Sequence, residues 1–87
     1  MPTLEQLKAI AQAAIDERAE WMIEAAQAIL VNPEPGFLEV KTSKFVSEKL
    51  SELGVAHQSG IALTGLKGVI KGGKPGPTVA VIGELDS

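Results

Sequence analysis

The spacing of apolar positions changes along the 87 residues, and each change marks an element. Leu7, Ala11 and Ala14, then Met22, Ala26 and Ile29, recur at intervals of three and four, while Glu5, Asp16, Glu17, Glu20 and Glu24 fall largely on other faces. Thr3 followed by Gln6 has the form of a capping box. These features predict one long amphipathic helix over residues 3–31, bent near Arg18. Asn32-Pro33-Glu34-Pro35-Gly36 stops it, because a proline disfavours α geometry in the residue before it. A second helix is predicted over 38–53, with Thr42, Val46, Leu50 and Leu53 on its buried face and Gly54 as its left-handed cap. Glu39 lies at the positive end of that helix dipole.

After Gly54 the period shortens toward two. Strands are predicted over 55–58, 66–71 and 77–83. Residues 66–71 alternate, as a strand with one wet face does, whereas Thr78 to Ile82 form a continuous β-branched run suited to burial on both faces. The turn Gly72-Gly73-Lys74-Pro75-Gly76-Pro77 is short enough to make the last two strands antiparallel. The fold class is therefore α/β, two helices followed by a hairpin and strand portion of a mixed sheet, within one domain spanning 1–87.

Composition narrows the function. With 45% hydrophobic and 22% charged residues the chain is ordinary for a globular domain, and a net charge of -3 offers no basic face for nucleic acid. No apolar stretch is long enough to span a bilayer, and the N-terminus lacks the basic and apolar blocks of a secretory signal, so a cytoplasmic protein is expected. The absence of cysteine removes disulfides and thiolate metal sites.

The candidate chemistry sits at the end of the last predicted strand. Glu84 and Asp86 are two apart, so in extended geometry they share a side, at the strand end where α/β proteins bind ligands. Such a pair can ligate a metal, orient a metal-binding histidine or hold a water; it can equally be a solvated loop. His57 is the single histidine, which makes neither a metal site nor a triad alone. The glycines from Gly65 to Gly76 do not form a phosphate loop and read as turn residues. Glu34 and Glu39 flank the interhelix turn and suit structural roles, Glu39 as an acceptor for backbone amides. No serine or threonine has a base partner identifiable from the sequence.

Four stretches in order resemble one family. Asn32-Pro33-Glu34-Pro35-Gly36-Phe37 with Glu39, Thr42 and Ser43 is similar to a P-E-x-G-F-x-E-x-x-T-S element of metal-dependent amidohydrolases of the aminoacylase and carboxypeptidase type, the clan MH metallopeptidases. Leu63-Thr64-Gly65-Leu66, the Gly72 to Pro77 turn and Ile82-Gly83-Glu84-Leu85-Asp86 resemble later elements of the same family. Glutamate at position 84 is similar to the branch that cleaves aminobenzoyl-glutamate and related N-acyl amino acids or dipeptides. Leu30 departs from the family histidine at that place, and Ser87 from its commoner alanine.

The resemblance implies that residues 1–87 are the N-terminal part of a catalytic domain, an incomplete piece of a three-layer zinc-exopeptidase-like fold. It implies two divalent ions, zinc or manganese, a small-molecule amide substrate and dimerisation through a lid domain not contained in this sequence. In carboxypeptidase-like relatives the position of Glu84 is a metal-binding histidine, and that of Asp86 an aspartate supporting the ligands. Asp86 thus carries over as the supporting catalytic-site residue, and Glu84 is a substituted metal-ligand position. The family's other ligands fall after residue 87, so this chain alone is expected to bind no metal and to be inactive. The other expectation is a noncatalytic α/β interaction module, or a degenerate fragment, pairing its sheet edge or Ala-rich helix with another chain.

Overall fold

Thr3 begins the first helix in both directions: its hydroxyl accepts the Gln6 amide at 3.1 Å and its own amide donates to Gln6 Oε1 at 2.8 Å. In the computed structural model, which describes Met1–Ser87, this box opens α1, Leu4–Glu17. The single helix expected over 3–31 is two. At Arg18 the backbone leaves helical geometry (φ -103°, ψ 7°), and α2 runs Ala19–Leu30. The cause is local: the Arg18 amide bonds to Ile15 O at 3.1 Å, a tightened last turn, before Met22 N–H to Arg18 O restarts the ladder at 2.9 Å. Neither glycine nor proline marks the break. The two helices form one unit, Met1–Val31, in which no side chain is buried.

The second unit, Asn32–Ser87, carries α3 (Val40–Glu52) and a two-stranded antiparallel sheet of β1 (His57–Ile61) and β2 (Gly65–Gly68). Helix α3 ends in a Schellman motif. Gly54 takes φ 73°, its amide donates to Ser51 O at 3.0 Å, and the Val55 amide reaches back to Leu50 O at 2.9 Å. That motif also corrects the strand predicted over 55–58: Val55 has its amide tied to the helix, so pairing begins at His57 and runs on to Ile61. Gly54→Ala forces a Cβ into left-handed geometry. It is expected to cost about 1–2 kcal/mol locally, read as faster exchange of the Val55 amide, with α1 unaffected.

The hairpin differs from the expected one. β1 pairs with β2, His57 opposite Gly68 and Ile61 opposite Gly65, through a turn in which Ala62 and Leu63 have positive φ. Positive φ at consecutive positions gives the turn the twist of its strands, at some strain for residues with a Cβ. Gly60, φ 74°, lies in the bulge between Gln58 and Ile61. Gly65 meets a closer constraint: a Cβ there would lie 2.5 Å from the Ile61 carbonyl oxygen. β2 ends at Gly68, opposite the first residue of β1, so the strand predicted over 66–71 is cut short where its partner begins.

The strand predicted over 77–83 is absent, and the Gly72–Pro77 turn joins no antiparallel pair. An extended β-branched run needs a neighbour for its backbone groups. β1 already takes β2, and no strand pairs with residues 77–83; Val79, Val81 and Ile82 are 85%, 96% and 90% exposed. No hydrophobic side chain is buried anywhere in the chain. The only buried residues are polar, Glu39 and Thr42. No helix is long and apolar enough to cross a membrane.

Candidate functional site

The buried polar pair belongs to a brace at the start of α3. The first amides of a helix have no intrahelical partner, and here a carboxylate six residues upstream supplies one. Glu34 Oε1 accepts the Thr42 amide and the Thr42 hydroxyl, each at 2.6 Å, and Oε2 accepts the Lys41 amide at 3.2 Å. Glu39 does accept a backbone amide, but that of Phe37, outside the helix, at 2.8 Å. Its other oxygen takes the Thr64 hydroxyl at 2.6 Å, and Ser43 Oγ donates to the Thr64 carbonyl at 2.7 Å. Phe37 itself has φ 63°, a strained geometry for a bulky residue that the Glu39 bond helps to hold.

Both carboxylates are held ionised. The Thr42 hydroxyl, then the Thr42 and Lys41 amides, lower the Glu34 pKa against a smaller opposing effect of burial. Glu39 is lowered chiefly by the Thr64 hydroxyl; burial and the neighbouring Glu34 charge oppose this. Acceptor-only groups surrounded by donors are the arrangement that lets a carboxylate stay charged out of water.

The two acids picked out by sequence lie close to this brace without entering it. The Ser87 amide donates to the Glu34 carbonyl at 2.9 Å, so the segment bearing Glu84 and Asp86 is tied to the interhelix turn. Leu85 is half-buried, and residues 83–85 border an open hollow of about 390 Å³ with Val46, Leu50, Gly65 and Leu66. Glu84 and Asp86 are exposed and sit on irregular backbone, not at a strand end.

His57 has partners the sequence did not reveal. Nδ1 lies 2.9 Å from the Val55 carbonyl, which only accepts, so Nδ1 carries the proton. The other ring nitrogen, Nε2, is hydrogen-bonded to the Ser47 hydroxyl, 2.6 Å away. The reading that no serine has a base partner is therefore corrected. The pair has the contact of a nucleophile and its base, but Ser47 sits inside α3, where backbone amides are spent on the helix and none is free for an oxyanion. Its role is to clasp α3 to the first residue of β1. Ten residues separate the two in sequence, across a change of element, so no periodic pattern exposes them.

No known family model and no solved structure gives a match. Relatives do. Thermostable carboxypeptidase 2 of Saccharolobus solfataricus is 39% identical over 74 residues, 84% of this chain and 19% of its own. IAA-amino acid hydrolase ILR1-like 2 of Arabidopsis thaliana is 34% identical over 82 residues, 94% of this chain and 18% of its own. The related ILR1-like 5 protein of Arabidopsis thaliana is 37% identical over 68 residues, covering 78% of this chain and 15% of its own. The chain belongs to the metal-dependent amidohydrolase and peptidase family. It spans less than a fifth of the length of these relatives.

Within this chain the motif residues are spatially related. Glu34, Phe37, Glu39, Thr42, Ser43 and Thr64 are dispersed over 31 positions and form two hydrogen-bonded sets at the start of α3, Glu34 with Thr42 and Ser87, and Glu39 with Phe37, Ser43 and Thr64. A protein zinc site takes three or four ligands, and no three His, Asp or Glu side chains gather anywhere in the chain. In this chain the carboxylates of Glu34 and Glu39 accept backbone amides and threonine hydroxyls.

Proposed function

We propose that the chain serves a metal-dependent hydrolase of amide bonds in N-acyl amino acids, dipeptides or aminobenzoyl-glutamate-like substrates, and that it contributes the segment around Asp86. The observation that carries this reading is the likeness to carboxypeptidases and amino acid hydrolases at 34–39% identity over 78–94% of the chain. The uncovered apolar run at Val79, Val81 and Ile82 supports it, being surface that a larger sheet would cover. Two divalent ions, zinc or manganese, bound in the complete enzyme would supply Lewis-acid chemistry to an amide carbonyl and a water. Asp86 would support a metal-binding histidine there, accepting from its outer ring nitrogen and so setting its tautomer. Glu84 occupies a metal-ligand position with an oxygen donor in place of imidazole. The enzyme is cytoplasmic, acts on small molecules without nucleic acid or membrane, and dimerises through its lid.

The uncovered surface also suits a noncatalytic interaction module, and one experiment separates the two readings. The chain replaces the matching 74-residue stretch of the Saccharolobus solfataricus carboxypeptidase. The chimera is expected to hydrolyse N-acyl amino acids with added zinc or manganese, and the 87-residue chain alone to show no turnover. A folded, metal-loaded chimera with no amidase or peptidase activity overturns the enzyme reading.

A further inference from the structure

The brace at the start of α3 does more than cap a helix. Glu34 uses both ends of itself: its carboxylate closes on the Lys41 and Thr42 amides and the Thr42 hydroxyl, while its backbone carbonyl takes the Ser87 amide at 2.9 Å. Pro33 and Pro35 flank it and restrict its backbone. A carbonyl held between two prolines and locked by its own side chain to a helix terminus is a fixed acceptor. Residues 69–86 contain no helix or strand, so the hydrogen bond at Ser87 and the half-buried Leu85 are what hold the end of this segment.

We propose that Glu34 is a positioning residue for the Glu84–Asp86 segment, acting through the Ser87 amide. A cap alone would need the carboxylate only; the second bond, one residue beyond Asp86, converts a fixed helix terminus into a fixed origin for the acidic segment. The functional weight of this anchor rests on the reading of Asp86 given above, but the anchor itself is measurable without any activity.

The test is amide exchange and chemical shift of the 87-residue chain by NMR, on the parent, Glu34→Ala and Glu34→Gln. In the parent the Ser87 amide is protected. Glu34→Ala is expected to lower Ser87 protection by about tenfold, the loss of roughly one hydrogen bond. Glu34→Gln, which keeps an acceptor, restores part of that protection. If Glu34→Ala lowers protection at Lys41 and Thr42 while Ser87 is unchanged, Glu34 is only a cap and the proposal fails. A Ser87 amide unprotected in the parent overturns it as well. Should the anchor be found while Asp86 substitutions in an active chimera are silent, the reading of Asp86 falls and the anchor stands.

Discussion

Asp86→Asn in the chimera is expected to lower kcat/KM by about 10- to 100-fold, the range for residues that orient metal ligands from outside the coordination shell. The substitution keeps the size and one carbonyl acceptor, but removes the charge and permits an amide donor to face the imidazole. A histidine offered a donor takes the wrong tautomer. Because Asp86 is exposed and makes no bond in this chain, folding should change by no more than about 0.5 kcal/mol. The loss must therefore appear as activity together with weaker metal binding. Glu84→Gln separates the neighbouring role: if Glu84 is a ligand, metal affinity falls further than in Asp86→Asn. Full activity of the Asp86→Asn chimera removes Asp86 from the site.

The helices were legible in the sequence because their evidence is local. Thr3 and Gln6 meet within one turn, and Gly54 follows Leu53 where a left-handed cap belongs. The break at Arg18 was readable only as a bend, since the residue is a good helix former and the tightened turn to Ile15 has no compositional mark. Strands fared differently. A strand is defined by its partner, and the run Thr78 to Ile82 has every intrinsic property of one without a neighbour. The pairing that does form, β1 with β2, was hidden behind Val55, whose amide belongs to the helix cap, and behind a turn of Ala62 and Leu63, neither a residue favoured at positive φ.

The brace lay beyond pattern reading for a related reason. Glu34 meets Thr42 across eight residues and Glu39 meets Thr64 across 25, and no single helix or strand carries either pair. These positions form a string in the family resemblance, and the fold brings them together at the start of α3. It is unusual for the most buried side chains of a chain to be a carboxylate and a hydroxyl. The arrangement is tolerable because each has its hydrogen bonds, and no buried side-chain polar atom is left without one. The order of this unit thus follows from hydrogen bonds, while its apolar faces remain available for a larger sheet.

That origin makes the unit acid-sensitive, and acidification is expected to release it. Glu34 and Glu39 both have folded-state pKa values below their ordinary one, the first through the Thr42 hydroxyl and the second through that of Thr64. The unfolded chain therefore binds more protons than the folded chain as pH falls, so stability declines with falling pH. The contribution is complete above the ordinary glutamate value of about 4.3 and is lost as pH drops through the lower folded values. Helix signal from α3 and the shifts of Thr42 and Thr64 should change together below that point, whereas the α1 capping box, whose Thr3 and Gln6 carry no charge, should persist. Thr42→Val removes the principal cause of the Glu34 shift without changing side-chain shape, and should move that midpoint up toward the ordinary value; Thr64→Val should do the same for Glu39. A midpoint indifferent to both substitutions would show that the hydroxyls do not hold the carboxylates ionised, and with that the brace would lose its physical cause.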